Sequence, residues 1–183
     1  MISLIASFDM RILDMLYAHR DLQTTNIFIG ISELGSTLVV CGLMVCLGLA
    51  FALRRKLSWA AGLVISVIGA GGTTLVLKEL VQRARPDVFY RAYAETGFSF
   101  PSAHAALAAA FYGFCIYLLW KNVPPRLWRI LATIVLATLI AAIAFSRLYL
   151  GVHYVSDVIG GLIVGGIFVW IGIVVVRRLE KRL

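Results

Sequence analysis

The sequence predicts an all-α integral membrane helix bundle, with about five transmembrane helices and an N-terminal amphipathic helix at the membrane interface. Three observations support this fold class. Of the 183 residues, 61% are apolar and only 14% are charged, which is unusual for a soluble domain of this size. Several uncharged runs approach the ~20 residues that a helix needs to cross the hydrocarbon core. Most of the charged residues lie between these runs.

The first 22 residues are predicted to form the interfacial helix. Ile5, Phe8 and Ile12 recur at helical spacing, and charged residues such as Asp9 and Asp14 are interspersed among them. This pattern is typical of an amphipathic helix that lies along the membrane surface. A cleaved signal peptide is disfavoured because the charges interrupt any apolar core and no basic leader precedes it. We expect a single membrane domain over 1–183, with its transmembrane catalytic core in 27–183.

Five runs are predicted to cross the membrane, each long, apolar and uncharged: residues 34–53, 57–77, 105–120, 130–146 and 158–176. The third and fourth runs are separated by a polar turn with two prolines, which predicts a helical hairpin. The last helix can begin at His153 if Asp157 faces the protein rather than lipid.

Basic residues that flank the spans predict an orientation, because short cytoplasmic loops are rich in lysine and arginine. If the five spans alternate in direction, three basic clusters share the cytoplasmic face: Arg54, Arg55 and Lys56; Lys121, Arg126 and Arg129; and Arg177, Arg178, Lys181 and Arg182. The formal net charge of +8 does not indicate nucleic-acid binding, because the basic residues are divided between two membrane faces.

The opposite face also carries basic residues, for which membrane topology gives no reason: Lys78, Arg83, Arg85, Arg91 and Arg147. An ionisable residue within the membrane boundary costs about 2.5 to 3.5 kcal/mol on insertion scales. Each one alone has an ordinary structural explanation, such as a lysine that reaches toward lipid headgroups. Several on one face indicate a common function.

Three short segments concentrate these residues. In "KELVQRARP", Lys78 and Arg85 are seven residues apart, so they are predicted to return to one side of a helix that Pro86 ends. In "FPSAH", Pro101 and Ser102 are predicted to start a helix. The backbone amides of Ser102, Ala103 and His104 would then form an anion site at the helix end.

The third segment is "SRLYLGVHYVSD", in which His153 and Asp157 are four residues apart. This spacing predicts that the two side chains are neighbours on one helix face. Gly151, just before them, is predicted to let the chain turn into the final helix.

Together, the three segments resemble the signature motifs of the type 2 phosphatidic acid phosphatase family. The matching residues, in order and with the family's internal spacing, are Lys78, Arg85 and Pro86; Pro101, Ser102 and His104; and Ser146, Arg147, His153 and Asp157. There are two departures. Ala103 stands where the family usually has glycine, and the chain has five predicted spans where membrane members commonly have six.

The resemblance implies a role for each residue. His153 would attack phosphorus and form a phosphohistidine, which water later cleaves, while Asp157 fixes the tautomer of its ring. His104 would protonate the leaving oxygen as general acid. Lys78, Arg85 and Arg147, with the Ser102 hydroxyl and the amide of Ala103, would bind the phosphoryl oxygens. No metal or other cofactor is expected.

The implied activity is that of a lipid phosphatase or diphosphatase in a bacterial cell membrane, with its site facing the outside. Its expected substrates are undecaprenyl diphosphate, phosphatidylglycerophosphate or phosphatidic acid. A lipid phosphotransferase or lipid A phosphatase of the same fold is the alternative, and the oligomeric state stays open. A channel or carrier is disfavoured, because the ionisable residues cluster at one end of the spans and do not cross the midplane.

Overall fold

A computed structural model describes residues 2–122 and 125–181. Within these residues the chain forms seven α-helices and a short 3₁₀ helix over Val88–Tyr90. The α-helices are α1 (Ile2–Ala18), α2 (Leu22–Glu33), α3 (Thr37–Leu53), α4 (Leu57–Val81), α5 (Ala103–Asn122), α6 (Arg126–Tyr149) and α7 (Val155–Glu180). Five segments are long and apolar enough to cross a membrane. The predicted all-α membrane bundle is confirmed.

The first span is longer than the sequence predicted, since it begins at Leu22 rather than Leu34 and consists of α2 and α3. A turn over residues 34–36 separates these two helices. Asp21 caps α2 by accepting the Thr24 amide at 2.9 Å, and Ser36 caps α3. Tyr112 on α5 donates a hydrogen bond to the Leu34 carbonyl at 2.8 Å, so the break is satisfied internally.

Helix α5 lies at the centre of the bundle and packs against α4, α6 and α7. Glycines permit this close packing. A Cβ at Gly161 would lie 2.4 Å from the Ser102 carbonyl oxygen, and one at Gly165 would lie 2.5 Å from that of Ala106. At the crossing of α4 and α7, a Cβ at Gly172 would lie 2.6 Å from the Gly62 carbonyl oxygen. Such small residues let transmembrane helices approach backbone to backbone.

Two further helix boundaries, both at the ends that carry predicted site residues, differ from the predictions. Helix α4 ends at Val81, and Gln82 adopts the left-handed conformation with φ 48°, so Arg85 follows the helix and shares no helix face with Lys78. Helix α7 begins at Val155, so His153 precedes the helix and is not one turn before Asp157 on its face. The turn itself is as predicted, because Gly151 has φ +68° and a Cβ there would lie 2.0 Å from the Tyr90 carbonyl oxygen.

The charged residues sort to the two ends of the bundle. At one end, Glu180 accepts hydrogen bonds from Trp59 Nε1 at 2.9 Å and from Lys121, which joins the ends of α4, α5 and α7. Lys56 lies over the Trp59 ring at the same end. Arg182, which the sequence also assigned to this face, lies outside the described residues. The opposite end carries residues 82–102, the α6–α7 turn and α1.

Candidate active site

The three sequence segments meet at this second end of the bundle. The Ser99 amide donates to the Arg83 carbonyl at 2.8 Å, which folds the segment before α5 back against the end of α4. The Ser102 amide donates to the Asp157 carbonyl at 3.0 Å, and Arg85 Nη1 donates to the Val152 carbonyl at 3.0 Å. Backbone and side-chain contacts therefore bring all eight predicted site residues to one region.

His153 lies at the centre of the site and is only 2% exposed. Its Nδ1 is 3.4 Å from Asp157 Oδ2, and its Nε2 is 3.2 Å from Arg85 Nη1. Because a guanidinium can only donate, Nε2 must accept, so the ring proton resides on Nδ1 and points to Asp157. Burial lowers the pKa of His153 to about 4, and Arg147 and Arg85 add to this against the opposing effect of Asp157. The imidazole is therefore neutral at pH 7.

Asp157 is fully buried and forms a dense set of hydrogen bonds. Its Oδ1 accepts from Arg83 Nη1 at 2.6 Å, while Oδ2 accepts from the Ser99 hydroxyl at 2.5 Å and the Tyr154 amide at 2.9 Å. Sequence reasoning missed Ser99, for which there was no local signal. It also assigned no role to Arg83, although that residue stood out as a basic residue that topology could not explain.

Arg147 has no solvent exposure. Its Nη1 donates to Ser32 Oγ at 2.6 Å and to the Tyr93 hydroxyl, and its Nη2 lies 3.1 Å from Glu95 Oε2. Its Nε has no acceptor among the described residues. A buried guanidinium nitrogen without a partner is costly, so this donor is suited to an oxygen of a bound ligand.

Glu95 lies between two of the predicted phosphate-binding arginines. Its carboxylate oxygens are 3.4 Å from Arg85 Nη2 and 3.1 Å from Arg147 Nη2. Burial would raise the pKa of Glu95, but Arg147 and Arg85 hold it below the usual value. The two guanidiniums thus converge on one anionic group, and sequence reasoning had no signal for this carboxylate.

Lys78 and the start of α5 complete the site. Lys78 Nζ donates to the Phe98 carbonyl at 2.5 Å, which leaves further donor capacity. The predicted anion site at the helix end is partly wrong, because the Ser102 amide is bound to the Asp157 carbonyl. The amides of Ala103 and His104, the first two helical residues, have no acceptor in the part of the chain that the structure describes.

His104 is placed by the same helix start. It is the second residue of α5, directly after Ser102 and Ala103, which brings it to the same end of the bundle as the other predicted site residues. Ala103 is helical, so the site does not require the positive φ that glycine would permit at this position. Within residues 2–122 and 125–181, no group of three His, Cys, Asp or Glu side chains could hold a metal ion.

Comparison with known proteins places this geometry in a family. Residues 59–181 match the model of the PAP2 superfamily. The chain is 38% identical over 138 residues to phosphatidylglycerophosphatase B of Bacillus subtilis, covering 74% of this chain and 67% of that protein. It is 31% identical over 123 residues to a lipid A 4'-phosphatase of Bacteroides thetaiotaomicron, covering 58% of this chain and 48% of that protein.

A solved structure extends the similarity to the whole bundle. The crystal structure of a transmembrane PAP2-type phosphatidylglycerolphosphate phosphatase from Bacillus subtilis superposes with a TM-score of 0.86 at 28% identity. The match covers 98% of this chain and 88% of that one. The family match spans the three charged segments, and the structural match covers the helix bundle that carries them. The chain therefore belongs to the PAP2 superfamily.

Proposed function

We propose that this PAP2-type membrane lipid phosphatase hydrolyses a phosphomonoester or diphosphate headgroup through a phosphohistidine on His153. The observation that carries the proposal is the arrangement around His153. The ring is neutral and its Nδ1 faces Asp157. Its Nε2 faces Arg85, whose guanidinium would bind a phosphoryl oxygen of the substrate. A nucleophile with an orienting carboxylate and an adjacent cation fits phosphoryl transfer.

In the first step, Nε2 of His153 forms a bond to phosphorus while the bond from phosphorus to the leaving oxygen breaks. His104 donates its proton to that oxygen, which departs as the lipid alcohol or as a lipid monophosphate. Asp157 accepts the Nδ1 hydrogen bond as positive charge develops on the ring. In the second step, His104 takes a proton from water, and the water oxygen displaces Nε2 to release phosphate.

Positive charge stabilises both steps. Arg85 and Arg147 already converge on the Glu95 carboxylate, and the free Nε of Arg147 adds a third donor direction. Lys78, the Ser102 hydroxyl and the amide of Ala103 would contact the remaining oxygens. Phosphoryl transfer depends mainly on such positioning and charge stabilisation. We therefore expect catalysis without a metal ion.

The substrate class follows from the setting of the site. It lies at one end of the membrane-spanning helices, so a lipid alcohol can remain in the bilayer while its phosphate enters. We propose phosphatidylglycerophosphate, undecaprenyl diphosphate or phosphatidic acid as substrates, and similarity to phosphatidylglycerophosphatase B favours the first. Similarity to a lipid A 4'-phosphatase makes lipid A the alternative. We place the site on the outer face of a bacterial cell membrane, with α1 along the interface.

Phosphate release from purified protein tests this proposal. The protein in detergent with EDTA is given phosphatidylglycerophosphate, undecaprenyl diphosphate, phosphatidic acid or lipid A, each alone. His153→Ala should abolish release. His19→Ala is the matched control, since His19 is exposed just after α1 and, among the described residues, its ring contacts the Met15 carbonyl and no residue of the site; it should retain activity.

The rank of kcat/KM then identifies the substrate, and acid-quenched protein should carry labelled phosphate on histidine. Activity that survives in His153→Ala, or that is lost when EDTA is added, would contradict the mechanism. If folded wild-type protein consumes a lipid phosphate only when a second lipid alcohol is added, the protein is a phosphotransferase.

A further inference from the structure

A line of charged side chains continues from His153 past Asp157 to the N-terminal helix. Asp157 Oδ1 accepts from Arg83 Nη1 at 2.6 Å, and Arg83 Nη2 donates to Asp9 Oδ2 at 2.8 Å. Asp9 belongs to α1, yet it is only 2% exposed. A helix that merely lies along the interface has no need to bury a carboxylate, which is costly unless the charge is paired.

Asp9 is held from two directions. Its Oδ1 accepts the Ser156 amide at 3.0 Å, and its Oδ2 accepts the Ser156 hydroxyl at 2.5 Å. Ser156 lies in the first turn of α7, where free amides and the helix dipole favour negative charge. The same hydroxyl accepts from Arg83 Nη1 at 2.6 Å. Asp9, Ser156 and Arg83 therefore form a closed hydrogen-bonded ring beside Asp157.

Arg83 is fixed in this ring as a charged group. Its guanidinium carbon lies 4.2 Å from the centre of the Tyr154 ring, which packs on one of its faces. Burial alone would lower the pKa of Arg83, but its contacts with Asp9 and Asp157 raise it above the usual value. The guanidinium thus stays protonated and is shared by two carboxylates, one on α1 and one in the site.

We propose that Asp9 is a positioning residue for the reaction, which acts on His153 through Arg83 and Asp157. This inference rests on the proposed function. By binding one side of the Arg83 guanidinium, Asp9 holds Arg83 in place and takes up part of its charge. Asp157 then keeps enough negative charge on Oδ2 to orient and stabilise the His153 ring. The N-terminal helix thereby contributes to catalysis and is more than an anchor.

The predicted consequence of losing the Asp9 charge is specific to the chemical step. In Asp9→Asn, Arg83 would pair with Asp157 alone and draw it away from His153. We expect kcat to fall about tenfold, the scale of effect seen for residues that orient a reactive group. KM should change little, because Arg85, Arg147 and Lys78 are untouched. Asp9→Glu, which keeps the charge, should have a kcat nearer to wild type.

Asp14→Asn is the matched control. Asp14 lies on the same helix, loses the same charge on substitution and hydrogen-bonds the Tyr90 hydroxyl at 2.6 Å, but it makes no contact with Arg83 or Asp157. It should keep kcat close to that of wild type, because it leaves the contacts of Arg83 and Asp157 unchanged. If a substitution acted only by loosening α1 from the bundle, both Asp9→Asn and Asp14→Asn would lose activity.

A double-mutant cycle supplies the decisive measurement. If Asp9 acts through Arg83, Asp9→Asn should lower kcat no further in an Arg83→Gln background. If the losses of kcat from Asp9→Asn and Arg83→Gln multiply in the double variant, the inference is overturned. Equal activity in Asp9→Asn and Asp14→Asn would overturn it too. A wild type that releases no phosphate would instead overturn the proposed function. If Asp9→Asn is not recovered folded, Ser156→Ala replaces it. That variant must then lower kcat in the wild-type background and must not lower it further in the Arg83→Gln background.

Discussion

Two arginines of the site already bind an anion that belongs to the protein. The Glu95 carboxylate contacts both Arg85 and Arg147, so a phosphate that enters must compete with it. We expect Glu95→Gln to strengthen competitive inhibition by orthovanadate about tenfold, or ~1.4 kcal/mol, because a neutral amide competes less for guanidiniums. Glu79→Gln, an exposed position on α4, should leave inhibition unchanged. Weaker inhibition in Glu95→Gln would mean that Glu95 serves to hold the two arginines for phosphate.

The protonation state of His153 predicts how activity depends on pH. Burial, with the positive charges of Arg147 and Arg85, lowers the pKa of His153 to about 4, although the hydrogen bond to Asp157 opposes this shift. A lowered pKa keeps the ring neutral as pH falls through 6.5, so nucleophilic activity should persist and decline only near pH 4. The test measures kcat/KM from pH 4 to 8 for two lipid substrates whose phosphate groups differ in pKa. A fall in activity caused by protonation of the substrate shifts with the pKa of that substrate, whereas a fall caused by the enzyme does not. A fall in kcat/KM near pH 6.5 that is the same for both substrates would contradict this expectation.

Local spacing was sufficient to pick out candidate site residues, but it could not identify the residues that contact them. Lys78, Arg85, Arg147 and His153 lie in short patterns, and each one reaches the common region. Ser99 contacts His153, Glu95 contacts both arginines, and Asp9 contacts Arg83, only because distant parts of the chain meet in the folded protein. Nothing near these residues in the sequence distinguishes them from ordinary polar residues.

At the level of the helices, hydrophobic length predicted the elements well and their ends less well. Pro86 marked the latest point at which α4 could end, but the left-handed Gln82 ends it sooner. Likewise, the spacing of His153 and Asp157 fitted a helix that begins two residues later. In both cases the residue outside the helix is held by tertiary hydrogen bonds, as Arg85 is by the Val152 and Gly97 carbonyls.

The contact between α5 and α7 couples packing to the site. A Cβ at Gly161 would lie 2.4 Å from the Ser102 carbonyl oxygen, so Gly161→Ala must push the start of α5 away from Asp157. We expect this variant to lose about 1 to 3 kcal/mol of stability, as overpacking does, and to lose activity at temperatures where it is still folded.

Gly166→Ala is the matched control on the same helix, because a Cβ there meets nothing within 4 Å. Thermal unfolding in detergent and phosphate release measure the two effects for both variants. Equal stability and activity in the two variants would show that the helices can separate at this point without moving Ser102.

For the molecule as a whole, the placement of charge limits how it can lie in a membrane. Uncharged length predicted five spans, and the structure has five segments able to cross. The extension of the first span to Leu22 was missed because Glu33 interrupts its apolar run, yet Glu33 lies at the exposed end of α2. The basic clusters and the candidate site lie at opposite ends of the bundle. The membrane side on which the basic clusters lie therefore determines the side from which the substrate approaches.

The excess of lysine and arginine at one end predicts that this end is cytoplasmic and that the site faces outward. Single cysteines test this after Cys41, Cys46 and Cys115 are replaced by alanine. We expect Asp87→Cys, an exposed position beside the site, to react with a membrane-impermeant maleimide in intact spheroplasts. Arg54→Cys, exposed at the basic end, should react only after permeabilisation. The reverse pattern would place the site in the cytoplasm, where a headgroup of the outer leaflet could not reach His153.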